Sequence, residues 1–344
     1  MRVCASGDIS LEEFDRWLLS LGDGTAPVVK ETDLIELPED LCSVIDKDDE
    51  KKSMKEFCSE IFPNLDQNIG NEEWLDGRAI LAPTNREVDK INELMVDKMS
   101  GELISLHSSD NVDNNRDVLR YNVEYINTLN PSRLPASHIM LKRGMPVMLM
   151  RNLNPKDGLC NGTRLIFKHM ISHRLLVCRT VGQDVNRDVY IPRITLRPKE
   201  KQYPFEWSRR QFPIRAAFSI TINKAQGQTM KMVGVWLPDP VFSHGQLYVG
   251  SGRVGAPQKL RFAVKQDGER RNCTRNVVYR EVLNLTEEVP EHTSCDTDEA
   301  ADPIEVHEIQ EYEGPYDGHP YDLRPRQRRT CSPARRAAPP RYVV

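Results

Sequence analysis

A short apolar run, Ala79-Ile80-Leu81-Ala82, is stopped by Pro83 and followed at once by a helix pattern, and this order constrains the fold more than any other feature. Thr84 and Glu87 have the spacing of a capping box, and Val88, Ile91, Leu94, Met95 and Met99 recur on one helical face. A strand that turns directly into an amphipathic helix belongs to an α/β layer, in which helices cover a sheet. The same strand character returns at 216–220, 233–237 and 260–264, with Ser243 and Gln246 spaced to cap a helix between the last two. Between these stretches the pattern changes. Short strand-like runs at 146–150, 163–167, 174–178 and 189–191 are punctuated by Asp157-Gly158 and Asn161-Gly162, as in a small antiparallel barrel. The expected architecture is one α/β domain split by an inserted β-module.

The flanks are less patterned. Ser10 and Glu13 are spaced as a capping box, Phe14, Trp17, Leu18 and Leu21 follow at helical spacing, and Gly22 ends the run. An acidic stretch of low pattern then runs to about 53, before a helix near 54–62. The segment from about 100 to 137 reads as rich in loops. Residues 285–322 hold 13 Asp/Glu and no Lys or Arg, and residues 323–344 hold 7 Arg and no acid. With no apolar periodicity, 285–344 reads as a disordered tail, acidic and then arginine-rich. Its arginine run between Arg324 and Arg336 reads either as a nuclear import signal or as a plain basic tail.

The formal net charge of −4 conceals segregation, because residues 138–215 carry 16 Lys/Arg against 5 Asp/Glu. Such a segment suits a polyanion, or is a basic β-rich surface with no ligand. Lys142, Arg143, Arg151, Lys156 and Arg164 are its candidate phosphate contacts for single-stranded DNA. Tyr203 and Trp207 stand among basic residues and either stack on bases or pack inside the barrel. The 8 cysteines are scattered without a Cys-x-x-Cys pair, and His138, His169 and His173 lack ligand spacing, so neither a metal site nor a disulfide framework is indicated. A reducing compartment is the simplest reading. No apolar run reaches the length of a membrane span, and the N-terminus lacks a hydrophobic signal core.

Two segments carry the chemistry. Ser-Ile-Thr-Ile-Asn-Lys-Ala-Gln-Gly-Gln-Thr occupies 219–229, and Ser251-Gly252-Arg253 follows. A polar turn containing glycine, after an apolar strand, can face a phosphate or a DNA backbone. An arginine at the end of a nearby helix can reach a transferring γ-phosphate.

An ordered series of motifs surrounds them. Ala-Pro-Thr-Asn stands at 82–85, Leu-Asn-Pro-Ser at 129–132, Leu-Lys-Arg-Gly-Met-Pro-Val-Met-Leu at 141–149 and Arg-Asn-Leu-Asn-Pro at 151–155. Leu-Cys-Asn-Gly-Thr-Arg-Leu follows at 159–165, Arg-Arg-Gln-Phe-Pro-Ile at 209–214, Gly-Gln-Leu-Tyr-Val at 245–249 and Asn-Val-Val-Tyr-Arg-Glu-Val-Leu at 276–283. In this order, over roughly residues 1–284, the chain closely resembles the petite-integration-frequency (Pif-type) superfamily 1 ATP-dependent DNA helicases, including the helicase part of Helitron transposons.

The resemblance implies the C-terminal half of a motor: a second RecA-like domain (a P-loop NTPase-like parallel sheet) at 71–137 and 211–284, interrupted by an SH3-like β-barrel at 138–210, after a helical lead-in at 1–70. It implies that Arg253 is the arginine finger of motif VI and that Gly227 and Gln228 form the motif V turn approaching the γ-phosphate. Thr221, Asn223, Lys224 and Gln226 would face DNA or line the cleft. Arg86, at the start of the motif IV helix, stands near the nucleotide or is a solvated first-turn arginine. The chain departs from the family where Asn223 replaces the usual histidine and Gly252 the usual serine. No Gly-x-x-x-x-Gly-Lys-Ser/Thr occurs, and the Asp-Glu-Ala at 298–300 lies in the tail without a strand before it. The cofactors implied are ATP and Mg²⁺, held by a first RecA-like domain acting in trans or encoded in a longer gene. The function implied is 5′-to-3′ DNA unwinding in repair, recombination, telomere maintenance or Helitron transposition, in the nucleus, with this chain inactive alone. The alternatives are a non-catalytic module binding single-stranded DNA and a transposon-derived relic.

Overall fold

The computed structural model describes residues 9–30, 32–114, 120–131, 133–180, 187–198, 203–266 and 272–281, with the side chains of Ile9 and Ser10 outside the description. The tail expected at 285–344, including the Asp-Glu-Ala tripeptide, lies outside the described residues. So does the capping pair's Ser10 side chain.

A five-stranded parallel sheet organises the α/β part. Its strands lie in the order Ser219–Thr221, Arg78–Ala82, Met232–Leu237, Leu260–Lys265 and Cys42–Ile45. Alternation along each strand assigns its side chains to two faces. Ile80, Ala82, Trp236 and Ala263 join one core with Phe57 and Ile61 of the helix Glu50–Ile61 and with Val88, Ile91 and Met95 of the helix Asn85–Lys98. Ala79, Leu81, Val233, Val235, Leu237, Phe262 and Val264 face the other way, onto Phe14, Leu18 and Leu21 of the helix Ile9–Asp23 and Leu247 of the helix Gln246–Ser251. Gly234 lets the helix Glu50–Ile61 lie close to the sheet: a Cβ there would come within 2.7 Å of Ile61 Cγ1 and 2.9 Å of Phe57 Cε1. The edge strand Cys42–Ile45 lies in the stretch that reads as acidic and unpatterned, because alternate residues of an edge strand face water.

Antiparallel strands form the remainder. Asp188–Pro192, Leu175–Thr180, Arg164–Ile171, Pro146–Leu149 and Ile214–Ala216 make one five-stranded sheet in that order. Ile194–Leu196, Trp207–Gln211 and Ser109–Val112 make a three-stranded sheet, and Leu103–His107 pairs with His138–Lys142. Strands therefore occur where a loop-rich segment is expected before 137. Ser109-Asp-Asn-Val112 is too polar to show as a strand in sequence. One apolar core runs from the parallel sheet into these strands through Val147, Leu149, Phe167, Ile191, Phe212 and Phe218.

The capping expectations are half met. Thr84 Oγ1 accepts from Glu87 N–H at 3.4 Å, but the Glu87 carboxylate turns inward, 6% exposed, and accepts from Trp236 Nε1–H at 3.2 Å. The helix after the Met232–Leu237 strand begins only at Gln246, with Gly245 at φ 68° as its N-cap, so Ser243 does not cap it. Gln246 Oε1 nevertheless reaches back to Ser243 N–H at 3.2 Å.

Candidate functional site

All five parallel strands end at the same edge of the sheet, where ligands of open α/β sheets bind. From this edge the strand Ser219–Thr221 passes into a single 3₁₀ turn, Ile222–Ala225, stopped by Gly227 at φ 85°. Ile222 and Ala225 anchor the turn in the core, which leaves Asn223, Gln226 and Gly227 exposed and Thr221, Lys224 and Gln228 half-buried. A Cβ on Gly227 would meet nothing within 4 Å; the glycine serves its positive φ and leaves open space beside it.

The structure joins this segment to Arg253. Arg253 Nε donates to Val249 O at 2.7 Å and its Nη1 to Gln228 O at 3.4 Å, while Met230 N–H donates to Arg253 O at 3.0 Å. The guanidinium of one motif thus lies against the backbone of the other. Ser251 is fully buried and its hydroxyl donates to Leu247 O at 2.8 Å, closing the last turn of the helix. A Cβ on Gly252 would stand 3.1 Å from Tyr248 O, so the serine usual in the resembled family would require the helix end to give slightly. Asn223 is an acceptor here: Gln246 Nε2–H donates to its Oδ1 at 3.1 Å. In the sequence Gln246 stands as a helix cap and as part of the motif at 245–249, without a role in joining the two motifs, yet this 3% exposed amide ties them together.

Arg86 is exposed in the first turn of the helix Asn85–Lys98. Its neighbour Asn85 accepts from Arg215 Nη1 at 2.9 Å, and Asp89 pairs with Arg215 Nη2 at 2.5 Å. Burial pushes the Lys224 ammonium below its ordinary pKa; Arg215 adds to this and Asp89 opposes it. Arg215, which lies just beyond the quoted motif at 209–214, thus ties its strand to the first turns of the helix Asn85–Lys98, and nothing in its sequence context marks it.

The expected phosphate contacts separate. Arg143 and Lys156 are exposed, and Arg151 is half-buried. Lys142 Nζ donates to Met99 O at 2.6 Å, at the C-terminal end of the helix Asn85–Lys98. Gln228 Nε2 donates to Gly162 O at 3.4 Å, which brings the loop between Arg151 and Arg164 against the 219–229 segment. Arg164 corrects the expectation. It is 8% exposed and donates to Asp76 O at 2.6 Å, Arg78 O at 2.9 Å and Ala217 O at 3.0 Å, so its guanidinium clamps the β-module to the parallel sheet and is not presented to a phosphate. Trp207 is 1% exposed and belongs to a core, as does Phe205, against which Tyr203 packs.

The motifs at 129–132 and 209–214 prove to be one structural device. Arg209 has no exposed side-chain surface, and its donors reach Asp110, Ile126 O, Leu129 O and Pro135 O. All five N–H groups of the guanidinium are thereby used. Gln211 Nε2 reaches Leu106 O at 3.1 Å and Ser137 O at 3.2 Å. The inward parity of Trp207, Arg209 and Gln211 along one strand is the signal that marks them as interior.

Among the described residues no group of three or more His, Cys, Asp or Glu side chains is placed to hold a metal ion, and no helix is long and apolar enough to cross a membrane.

With this geometry in place, comparison with known proteins adds lineage. Residues 124–170 match the family model of the DNA helicase Pif1 2B domain. The ATP-dependent DNA helicase PIF1 of Homo sapiens is 33% identical over 142 residues, covering 41% of this chain and 21% of that protein. Its Xenopus laevis counterpart is 27% identical over 186 residues, covering 51% of this chain and 26% of that protein. The chain thus aligns with only about a quarter of the length of these relatives. The crystal structure of Pif1 helicase from Candida albicans has a similar fold, with a TM-score of 0.52 at 20% identity over 84% of this chain and 59% of that one. Over the part that these matches cover, the chain is related to the Pif1-type superfamily 1 DNA helicases.

Proposed function

We propose that the chain carries the second RecA-like domain of a Pif1-type, ATP-dependent 5′-to-3′ DNA helicase, with its antiparallel strands as an SH3-like module. In this reading it forms the receiving half of a composite ATP site. The observation that carries it is the seating of Arg253 against Gln228 O, with Gly227 open beside it. That pairing suits an arginine finger and a backbone turn meeting one end of a nucleotide. Arg253 would stabilise charge developing on the γ-phosphate, and Gly227 and Gln228 would approach it. When bound, ATP with Mg²⁺ supplies the phosphoanhydride to be cleaved. The cradle for its β-phosphate and the metal-binding hydroxyl belong to a Walker motif, which the 344 residues do not contain. A first RecA-like domain, in a longer chain or in trans, has to provide them.

The same reading gives Thr221, Asn223, Lys224 and Gln226 to single-stranded DNA, with Arg143, Arg151 and Lys156 on its backbone and Arg86 beside the nucleotide. The cellular role rests on the family resemblance and not on this chemistry: DNA transactions such as repair or recombination, in the nucleus. The chain alone is expected to hydrolyse no ATP. Mixed with the first RecA-like domain of a Pif1-type helicase, it should restore DNA-stimulated hydrolysis, and Arg253→Ala should lower that rate by about 10³-fold or more. Hydrolysis by the isolated chain, abolished by Arg253→Ala, would overturn the half-site reading. Salt-sensitive DNA binding without any rescue of hydrolysis would favour the non-catalytic module.

A further inference from the structure

The loop that precedes the helix Gln246–Ser251 leaves aromatic surface in water beside the 219–229 segment. Phe242 is 62% exposed and Tyr279 is 52% exposed. His244 lies on Tyr279 with ring centroids 5.5 Å apart and planes 12° apart. Tyr279 N–H donates to His244 Nδ1 at 3.0 Å, so the neutral imidazole carries its proton on Nε2 and its ring is held in one orientation. Gly245 N–H donates to Val277 O at 3.0 Å, which pins the two aromatic segments together. Pro238 and Pro240 restrict the loop further.

This surface is bolted to the candidate site. Gln246 Oε1 accepts from Phe242 N–H at 3.1 Å and Ser243 N–H at 3.2 Å, while its Nε2 donates to Asn223. One buried amide therefore fixes the aromatic loop relative to a residue read as DNA-facing. The exposed charges nearby are mixed in sign, with Asp239 and Glu281 against Arg280. Such a patch does not suit a phosphate. Exposed rings held in place among charges of both signs suit the face of an unpaired base, and stacking there tolerates any base because every base has a π face.

We propose that Phe242 and the His244–Tyr279 pair form a stacking platform for a nucleobase of single-stranded DNA that also passes Asn223. The proposal rests on the reading of the 219–229 segment as DNA-facing. It separates two kinds of contact on one strand: phosphates held by lysine and arginine, and a base held by rings.

The test measures binding of a labelled oligothymidylate to the full 344-residue chain over a series of salt concentrations. Phe242→Leu and Tyr279→Leu should each weaken binding about tenfold, with the slope of affinity against salt unchanged because no phosphate contact is lost. Tyr279→Trp should bind like the unaltered chain. A fluorescent purine analogue in the strand should be quenched on binding, and Tyr279→Leu should relieve the quenching. If the unaltered chain binds and a Phe242→Leu/Tyr279→Leu double variant binds equally well, the platform is wrong while the DNA-facing reading stands. If the leucine variants change only the sedimentation of the protein, the patch is a protein contact and the platform is again wrong. If the unaltered chain fails to bind even at low salt, the underlying reading fails and the platform with it.

Discussion

The β-module and the polar edge of the parallel sheet use the same residue types in opposite ways. In the module, Arg164 and Arg209 are turned inward: Arg209 spends all its donors on carbonyls and on Asp110, and Arg164 spends its terminal nitrogens on three carbonyls while its buried Nε has no partner. At the sheet edge, Asn223, Gln226 and Gly227 are left exposed on a short turn whose apolar residues hold it in place. The difference is one of burial: a guanidinium cut off from water needs partners for most of its donors, and those partners tie distant segments together. A polar group left in water has no such debt and remains available to a ligand. Positive charge in the sequence therefore does not by itself say which guanidiniums are presented to a ligand.

The contrast can be broken by removing one partner at a time. The largest loss is expected for Asp110→Ala, which strands a fully buried guanidinium and should destabilise the protein by about 3–5 kcal/mol in a denaturant titration. An Asp110→Ala protein of unaltered midpoint would mean that water reaches Arg209. Arg164→Leu keeps the stem but leaves three carbonyls without a donor, and should cost about 3 kcal/mol. Its DNA affinity, measured on the folded protein, should not change; a fall comparable with that of Lys156→Ala would return Arg164 to the ligand surface. Gly234→Ala drives a methyl into Ile61 and Phe57 and should cost about 1–3 kcal/mol, read as a lower melting temperature. At the other extreme, Arg143→Ala and Lys156→Ala should move stability by no more than about 0.5 kcal/mol. Each should instead reduce the salt slope of DNA binding by about one.

A chemical probe sharpens the contrast further. Burial pushes the thiols of Cys58 and Cys178 up to about 12. Both should resist alkylation at pH 8 in the folded protein and react on unfolding, because the thiolate is the reactive species. Half-buried Cys160, for comparison, should be alkylated before either of them.

Much of the parallel sheet is legible in the sequence, since its central strands are apolar runs with turn residues at their ends. Arg78–Ala82, Met232–Leu237 and Leu260–Lys265 all show this pattern. The edge strand Cys42–Ile45 and the strand Ser109–Val112 are not legible, because pairing and not apolar burial makes them strands. The candidate site is half legible. The segments at 219–229 and 251–253 stand out as motifs, and their meeting through Gln228 and Met230 is a tertiary fact. Arg164 misleads because charge suggests a surface, whereas three converging carbonyls create a pocket for a cation. Gln246 misleads for a related reason: capping spacing conceals a side chain whose second end bridges to Asn223.

The Arg209–Asp110 pair also decides how the molecule can be divided. Asp110 lies on the strand Ser109–Val112 and Arg209 on the strand Trp207–Gln211, which are neighbours in space and 99 residues apart in sequence. A fragment cut at residues 138 and 210 would keep the arginine and discard the aspartate. It would also cut through the strand that carries Gln211 and lose the partner of the strand His138–Lys142. Such a fragment should emerge unfolded or aggregated, while one beginning before Leu103 and ending after Ala216 keeps the pairings among the antiparallel strands that lie between those two residues. Any piece meant to hold these antiparallel strands together must therefore keep this ion pair, wherever the basic residues begin.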